Sequence, residues 1–245
     1  QNAIVNIKRC NFTNNFVRDA MVYGSNYNVL GCSFTNNTAS AGGCAALYCE
    51  EYCNVTDSSF VNNSAKGASG AIHCFYSNII NCSFIKNNVK STYAGYAGAL
   101  SCMHSTVKDC YFVENSAANG GAVECCDCVI DGCTFKNNFA YRYGSAIEIP
   151  IPDTENTISN SLFSNNRAQL NKNTIGYPVI NYANSAIVKA GTDGANLKIV
   201  NCVGLSKNSD KYKIKTKIVS SNSVSCQNGK YMTVSLVNSE FLDRP

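Results

Sequence analysis

Residues 78–102 read NIINCSFIKNNVKSTYAGYAGALSC, and residues 106–125 read TVKDCYFVENSAANGGAVEC. Laid over one another, the two stretches share a β-branched residue (Ile79, Val107), a turn-former (Asn81, Asp109), a cysteine (Cys82, Cys110) and a phenylalanine (Phe84, Phe112). Both then carry an asparagine three residues on (Asn87, Asn115) and close with Gly-Ala, an aliphatic, one polar residue and a cysteine. The phenylalanine–asparagine pair recurs seven times: Phe12 with Asn15, Phe34 with Asn37, Phe60 with Asn63, Phe84 with Asn87, Phe112 with Asn115, Phe135 with Asn138 and Phe163 with Asn166. The steps between phenylalanines are 22, 26, 24, 28, 23 and 28 residues. Anchors that persist while the period wanders describe a solenoid whose coils differ only in their loops.

Further columns follow from the same alignment. Five residues before phenylalanine stands Ile7, Val29, Val55, Ile79, Val107, Ile130 or Ile158, and five after it a small apolar residue, Val17, Ala39, Ala65, Val89, Ala117, Ala140 or Ala168. Two before it stands Cys10, Cys32, Ser58, Cys82, Cys110, Cys133 or Ser161, which shares a strand face with the phenylalanine. Three before it lie mostly turn-formers, from Gly31 to Asn160. The asparagine three residues after it is expected to occupy a left-handed bend and to hydrogen-bond to its counterparts along the axis. The closing motif recurs as Gly70–Cys74, Gly98–Cys102, Gly121–Cys125 and Ser145–Ile149; Gly43–Cys49 carries Cys44 and Ala45 as an apparent insertion.

Short strands that return in fixed order, with no sustained helical spacing, must stack in parallel. The chain is therefore expected to be all-β, a single-stranded right-handed parallel β-helix. Seven clear coils and about two degenerate ones would make a rod of roughly 40 Å at ~4.8 Å per coil. One domain spans 1–245, with regular coils over 1–168 and degenerate coils with a C-terminal cap over 169–245. Ile149-Pro150-Ile151-Pro152 interrupts the pattern, and Asn196–Val200 and Thr233–Val237 are strand candidates beyond it.

An apolar share of 45% and a charged share of 15% argue against disorder, and no apolar run approaches the ~18 residues of a membrane span. The net charge of +4 is local: five lysines (Lys207, Lys211, Lys213, Lys215, Lys217) against Asp210. Without basic residues spread among stacking aromatics, nucleic acid is excluded as a partner. No signal-peptide pattern precedes Gln1, so the sequence reads as a mature or excised segment.

Fifteen cysteines without paired metal knuckles, and sequons at Asn11, Asn36, Asn54, Asn62 and Asn81, point to an oxidising extracellular setting. The coils bring Cys10 next to Cys32, Cys82 next to Cys110 and Cys133, and align Cys49, Cys74, Cys102 and Cys125. At that spacing, bridges between coils and packing as small core residues are both open readings. Cys125, Cys126 and Cys128 form the densest cluster and the place for a local or intermolecular bridge. No cofactor or metal ion is expected. One acidic pair, Glu124 and Glu148, occupies an outward column continued by Ser101, His73 and Tyr48. Its spacing of about 5 Å suits a retaining glycosidase or a weak calcium site, but the plain expectation is two solvated side chains. His73 and His104 fall in different columns and read as structural or surface residues.

The paired F-x-x-N and G-G-A-[ILV] motifs resemble the repeats of chlamydial polymorphic membrane proteins. They are also similar to Asn- and Cys-rich repeats of adhesin-like surface proteins in methanogens and trichomonads. The resemblance covers about residues 5–190, and the chain lacks the barrel that ends the chlamydial proteins. It implies a secreted or surface-displayed passenger, with further copies of itself or host and cell-surface glycans and proteins as partners. The expected function is structural or adhesive, with head-to-tail fibre formation included; the alternative is a polysaccharide-active enzyme, pectate lyase-like or glycosidase-like, or a glycan-binding module.

Overall fold

The computed structural model describes residues 4–91, 95–150 and 154–168, together with 188–190, 196–202, 205–206, 233–237 and 241–242. The described chain is all-β, and every strand pairing is parallel, between equivalent strands of successive coils. One coil shows the plan: strands Asn54–Thr56, Ser59–Val61, Ser64–Ala65 and Ile72–Phe75 each belong to a different sheet. We call these the valine/isoleucine, phenylalanine, alanine and cysteine sheets after their inward residues. The last three sheets are seven strands deep and the first is nine, so the solenoid makes about six turns. The nine expected coils are thus reached in one sheet only, where Asn196–Val200 and Thr233–Val237 continue the stack. The lysine segment 207–217 lies outside the described residues.

Three corners of each coil turn through the left-handed region. The first carries Arg9, Gly31, Asp57, Asn81, Asp109, Gly132, Asn160 and Asn201; the second Asn14, Asn36, Asn62, Lys86, Glu114, Asn137 and Asn165. The third carries Asn26, Tyr52, Tyr76, His104 and Asp127, and no other described non-glycine residue has positive φ. This corrects the placement of the ladder asparagines, because the bend is one residue earlier, at Asn62 (φ 53°) rather than Asn63. Left-handed backbone costs about 1–2 kcal/mol for a residue with a Cβ. At Lys86 and Glu114 it is held by the bonds from their N–H groups to Val113 O (2.9 Å) and Lys136 O (3.0 Å) of the next coil.

One rule covers the residue that follows each bend. Its side chain turns inward and accepts a hydrogen bond from the equivalent N–H of the preceding coil. At the second corner, Asn87 Oδ1 accepts from Asn63 N (3.0 Å) and Asn63 Nδ2 (3.0 Å), while Asn63 Nδ2 also donates to Phe34 O (2.8 Å). Both amide hydrogens and both lone pairs are used, so a fully buried polar column is satisfied. At the first corner Cys32 N donates to Ser58 Oγ (3.1 Å) and Cys82 N to Cys110 Sγ (3.4 Å). Ser58 Oγ then donates to Thr56 O (2.8 Å) and Cys110 Sγ to Lys108 O (3.1 Å). Cysteine and serine exchange here because each supplies one acceptor and one donor at the same reach.

Between these corners the rings of Phe12, Phe34, Phe60, Phe84, Phe112, Phe135 and Phe163 stack in one file, centroids 4.6 Å apart at the first step and 4.9 Å at the last. That spacing belongs to the backbone ladder, which overrides the offset or edge-on contact that isolated rings favour. The fourth turn is left-handed only at Gly120 and Gly144 among the described residues; what repeats there is close backbone contact. A Cβ at Gly70 would overlap Gly98 O, one at Gly98 would overlap Gly121 O, and one at Gly121 would overlap Ser145 O. The register also removes the apparent insertion: Cys44 bridges to Ser69 and Leu47 pairs with Ile72, so Ala45 falls in line with Gly70. Cys44 Sγ donates to Leu47 O (2.8 Å), as Ser69 Oγ does to Ile72 O.

Candidate functional site

The outer face of the cysteine sheet is where the coils stop resembling one another. Leu47 and Cys49, Ile72 and Cys74, and Leu100 and Cys102 point into the core, leaving the residue between each pair outside. Strand register therefore lines up Tyr23, Tyr48, His73, Ser101, Glu124 and Glu148, and then Lys189, in one column. Its two ends differ. Tyr23 is 62% exposed and its ring stacks on Tyr48 (4.9 Å), which meets His73 at the same separation. Tyr23 Oη donates to Glu50 Oε1 (2.6 Å). Farther along, Ser101, Glu124 and Glu148 are buried.

A second aromatic file runs along the third corner beside this face. Tyr52 meets Tyr76 at 5.6 Å, and Tyr76 stacks on His104 at 4.7 Å, nearly parallel. His104 Nδ1 reaches Asp127 Oδ2 at 3.5 Å. Tyr52 and Tyr76 are 57% and 45% exposed. The sequence reading missed this file; its signal was an aromatic two to three residues after the strand cysteines, at Tyr52 and Tyr76. As expected, His73 and His104 lie in separate columns.

Glu124 and Glu148 pair directly across neighbouring strands, as the spacing required, but the expectation that they are solvated is wrong: they are 6% and 4% exposed. Burial first, and Glu148 beside it second, push the Glu124 carboxyl up to about 8. Its Oε2 has no hydrogen-bond partner among the described residues, nor has His73 Nδ1. Burial lowers His73 to about 4, so it is neutral at neutral pH. A carboxyl that keeps its proton near neutrality is a hydrogen-bond donor and a potential general acid. No group of three or more His, Cys, Asp or Glu among the described residues is placed to hold a metal ion.

Of the cysteines named as bridge candidates, the structure joins one, Cys49. The one disulfide among the described residues joins Cys49 to Cys53, within a corner and not between coils. Cys10, Cys32, Cys74, Cys82, Cys102, Cys110, Cys125, Cys126, Cys128 and Cys133 are thiols, as are Cys44 and Cys202. The columns themselves are in register as read, Cys74 with Cys49 and Cys102, and Cys102 with Cys125. Cys53 and Cys128 both follow the third bend, in line with Ser77 and Ser105. The physical reason is the hydrogen bond: what repeats there is an acceptor for the preceding N–H, and serine disguises it.

All five sequon asparagines, Asn11, Asn36, Asn54, Asn62 and Asn81, are exposed. Four donate to the preceding coil: Asn36 to Asn14 (3.1 Å), Asn54 to Asn28 (2.9 Å), Asn62 to Asn36 (2.8 Å) and Asn81 to Asp57 (2.7 Å). An N-linked sugar replaces one amide hydrogen and leaves the other for that bond. Among the described residues no helix is long and apolar enough to cross a membrane. No family model, curated protein or solved structure matches the chain.

Proposed function

We propose that this β-helix is an extracellular or cell-surface structural and adhesive protein. Its partners are cell-surface glycans and proteins or further copies of itself. The observation that carries the reading is a pair of neighbouring aromatic files, Tyr23–Tyr48–His73, exposed at Tyr23 and half-buried at Tyr48 and His73, and Tyr52–Tyr76–His104, which is exposed throughout. Exposed rings in a rigid frame offer large contact area at low entropic cost, and neighbouring Glu50 and Asp127 add hydrogen-bond acceptors at the rim. The exposed sequons and the Cys49–Cys53 bridge fit an oxidising, secretory setting. The chlamydial-type repeat pattern supports the same placement.

The test is saturable binding of the labelled chain to cells and to immobilised glycans, compared with a Tyr23→Ala, Tyr52→Ala, Tyr76→Ala variant. The reading expects a loss of at least about tenfold in affinity, since each exposed aromatic contributes on the order of 1 kcal/mol. Equal binding by the variant, or no saturable binding on any surface together with a monodisperse monomer, would sink it.

A polysaccharide-active enzyme is favoured by one observation, the registered Glu124–Glu148 pair with a carboxyl that retains its proton near neutrality. Against it, both carboxyls are buried and a sugar ring needs them open. Turnover of any acidic polysaccharide that disappears in Glu124→Gln and Glu148→Gln would reverse this preference.

A further inference from the structure

The third corner holds more sulfur than its hydrogen bonds require. Its inward position is filled by Cys53, Ser77, Ser105 and Cys128 in successive coils, and serine serves at two of the four. Cys128 sits against two members of the cysteine-sheet column. Its Sγ lies 3.7 Å from Cys102 Sγ in the preceding coil, and it shares a hydrogen bond with Cys125 in its own. All three are 1% exposed. The Cys49–Cys53 bond joins the same two columns within a single coil, so sulfurs of these columns do come within bonding distance.

We infer that Cys102 and Cys128 form a second disulfide, one that staples neighbouring coils, with Cys125 as the flanking thiol. The contact between the two sulfurs carries the inference: they are already neighbours in a packed corner, and a bond of ~2.05 Å requires only that the side chains close the remaining gap. The oxidant is a small disulfide of the glutathione type. The Cys128 thiolate attacks one of its sulfurs, breaking the oxidant's S–S bond and releasing one small thiol. Cys102 then gives up its proton, and its thiolate displaces the second small thiol from Cys128. Two electrons and two protons pass from the protein thiols to the oxidant, and one S–S bond is exchanged for another.

The electrostatics set the order of events. Contacts from Cys102 and Cys125 favour the Cys128 thiolate, so it attacks first, while those contacts and burial hold Cys102 and Cys125 well above the ordinary thiol range. Burial also sets the timing, because the exchange needs the corner open, during folding or local unfolding. The inference rests on the three sulfurs and is independent of any adhesive role.

The full chain is refolded in a glutathione redox buffer, acid-quenched, alkylated in denaturant, digested and mapped by mass spectrometry. The expected map shows a Cys102–Cys128 linked peptide beside Cys49–Cys53; Cys125→Ser retains it and Cys102→Ser loses it. Alkylated Cys102 in buffers where Cys49–Cys53 is closed overturns the inference, as does a Cys125–Cys128 link. The map of the unsubstituted chain decides the matter even where a variant fails to fold.

Discussion

The phenylalanine column and the outer column of the cysteine sheet obey the same strand register and could hardly be less alike. The first presents one residue in seven coils, stacked and buried. The second changes along the rod, from Tyr23 and Tyr48 through His73 and Ser101 to Glu124 and Glu148. An inward residue is clamped above and below by copies of itself and across the core by other repeating columns, so one solution repeats. An outward residue is held in register only by its two ladder neighbours, its other contacts vary from coil to coil, and each coil is free to differ. Uniform columns thus mark the scaffold, and the column that varies is where this chain acquires individual chemistry.

The strongest way to break the comparison is to attack the uniform side. Phe112→Ala leaves a hole in the stack and should cost about 3–5 kcal/mol in denaturant unfolding. Asn115→Ala should cost nearly as much. It strands Asn87 N and Nδ2 and Phe84 O, buried groups worth about 1–3 kcal/mol each. On the outside, Asn54→Ala removes the bond to Asn28 and the one from Asn78, both solvent-exposed, and should stay within about 0.5 kcal/mol. Equal losses at Asn115 and Asn54 would show that position in the ladder, not burial, sets the cost.

The varied column should reveal itself through pH, with an effect of a few kcal/mol. Glu124 holds its proton more tightly in the fold than its ordinary value near 4.5, up to about 8. The folded chain therefore binds the extra proton between those values and loses about 1.4 kcal/mol per pH unit as pH rises through them. His73 works in the opposite sense: its value falls from 6.5 to about 4, so folding is favoured as pH rises across that window. The two nearly cancel below about 6.5, and net stability should fall from there to about 8. Unfolding midpoints at pH 5, 6.5 and 8.5 check this. Glu124→Gln should remove the alkaline loss, and His73→Phe should extend the decline down toward pH 4.5.

A smaller effect sharpens the rule for the corners. Cys110→Ser keeps an acceptor for Cys82 N and a donor to Lys108 O, and should change stability by less than about 1 kcal/mol. Cys110→Ala orphans Cys82 N and should cost about 1–2 kcal/mol. Matching values for the two variants would mean that the sulfur packs and nothing more.

Much of this architecture was legible because inward residues repeat. Phe84 and Asn87 announce their sheet and corner wherever they recur, and even the late strands Asn196–Val200 and Thr233–Val237 stand where the pattern places them. What escaped reading are positions whose repeat is one of function within the hydrogen-bond network, not of residue type. Ser77, Ser105 and Cys128 do one job under two names, and Lys86 and Glu114 take a bend usually left to asparagine. The aromatic corner of Tyr52, Tyr76 and His104 was hidden for the same reason.

By itself, then, the sequence determined the parallel coil, its inward columns and the neighbouring placement of Glu124 and Glu148, because a ladder with one strand of each kind per coil turns periodicity directly into contact. Only the tertiary structure decided which cysteines meet and which glutamates lose their water. Sulfur pairing depends on the direction of side chains at a corner, and solvation depends on what packs over a face; neither is written in the spacing of residues along one strand.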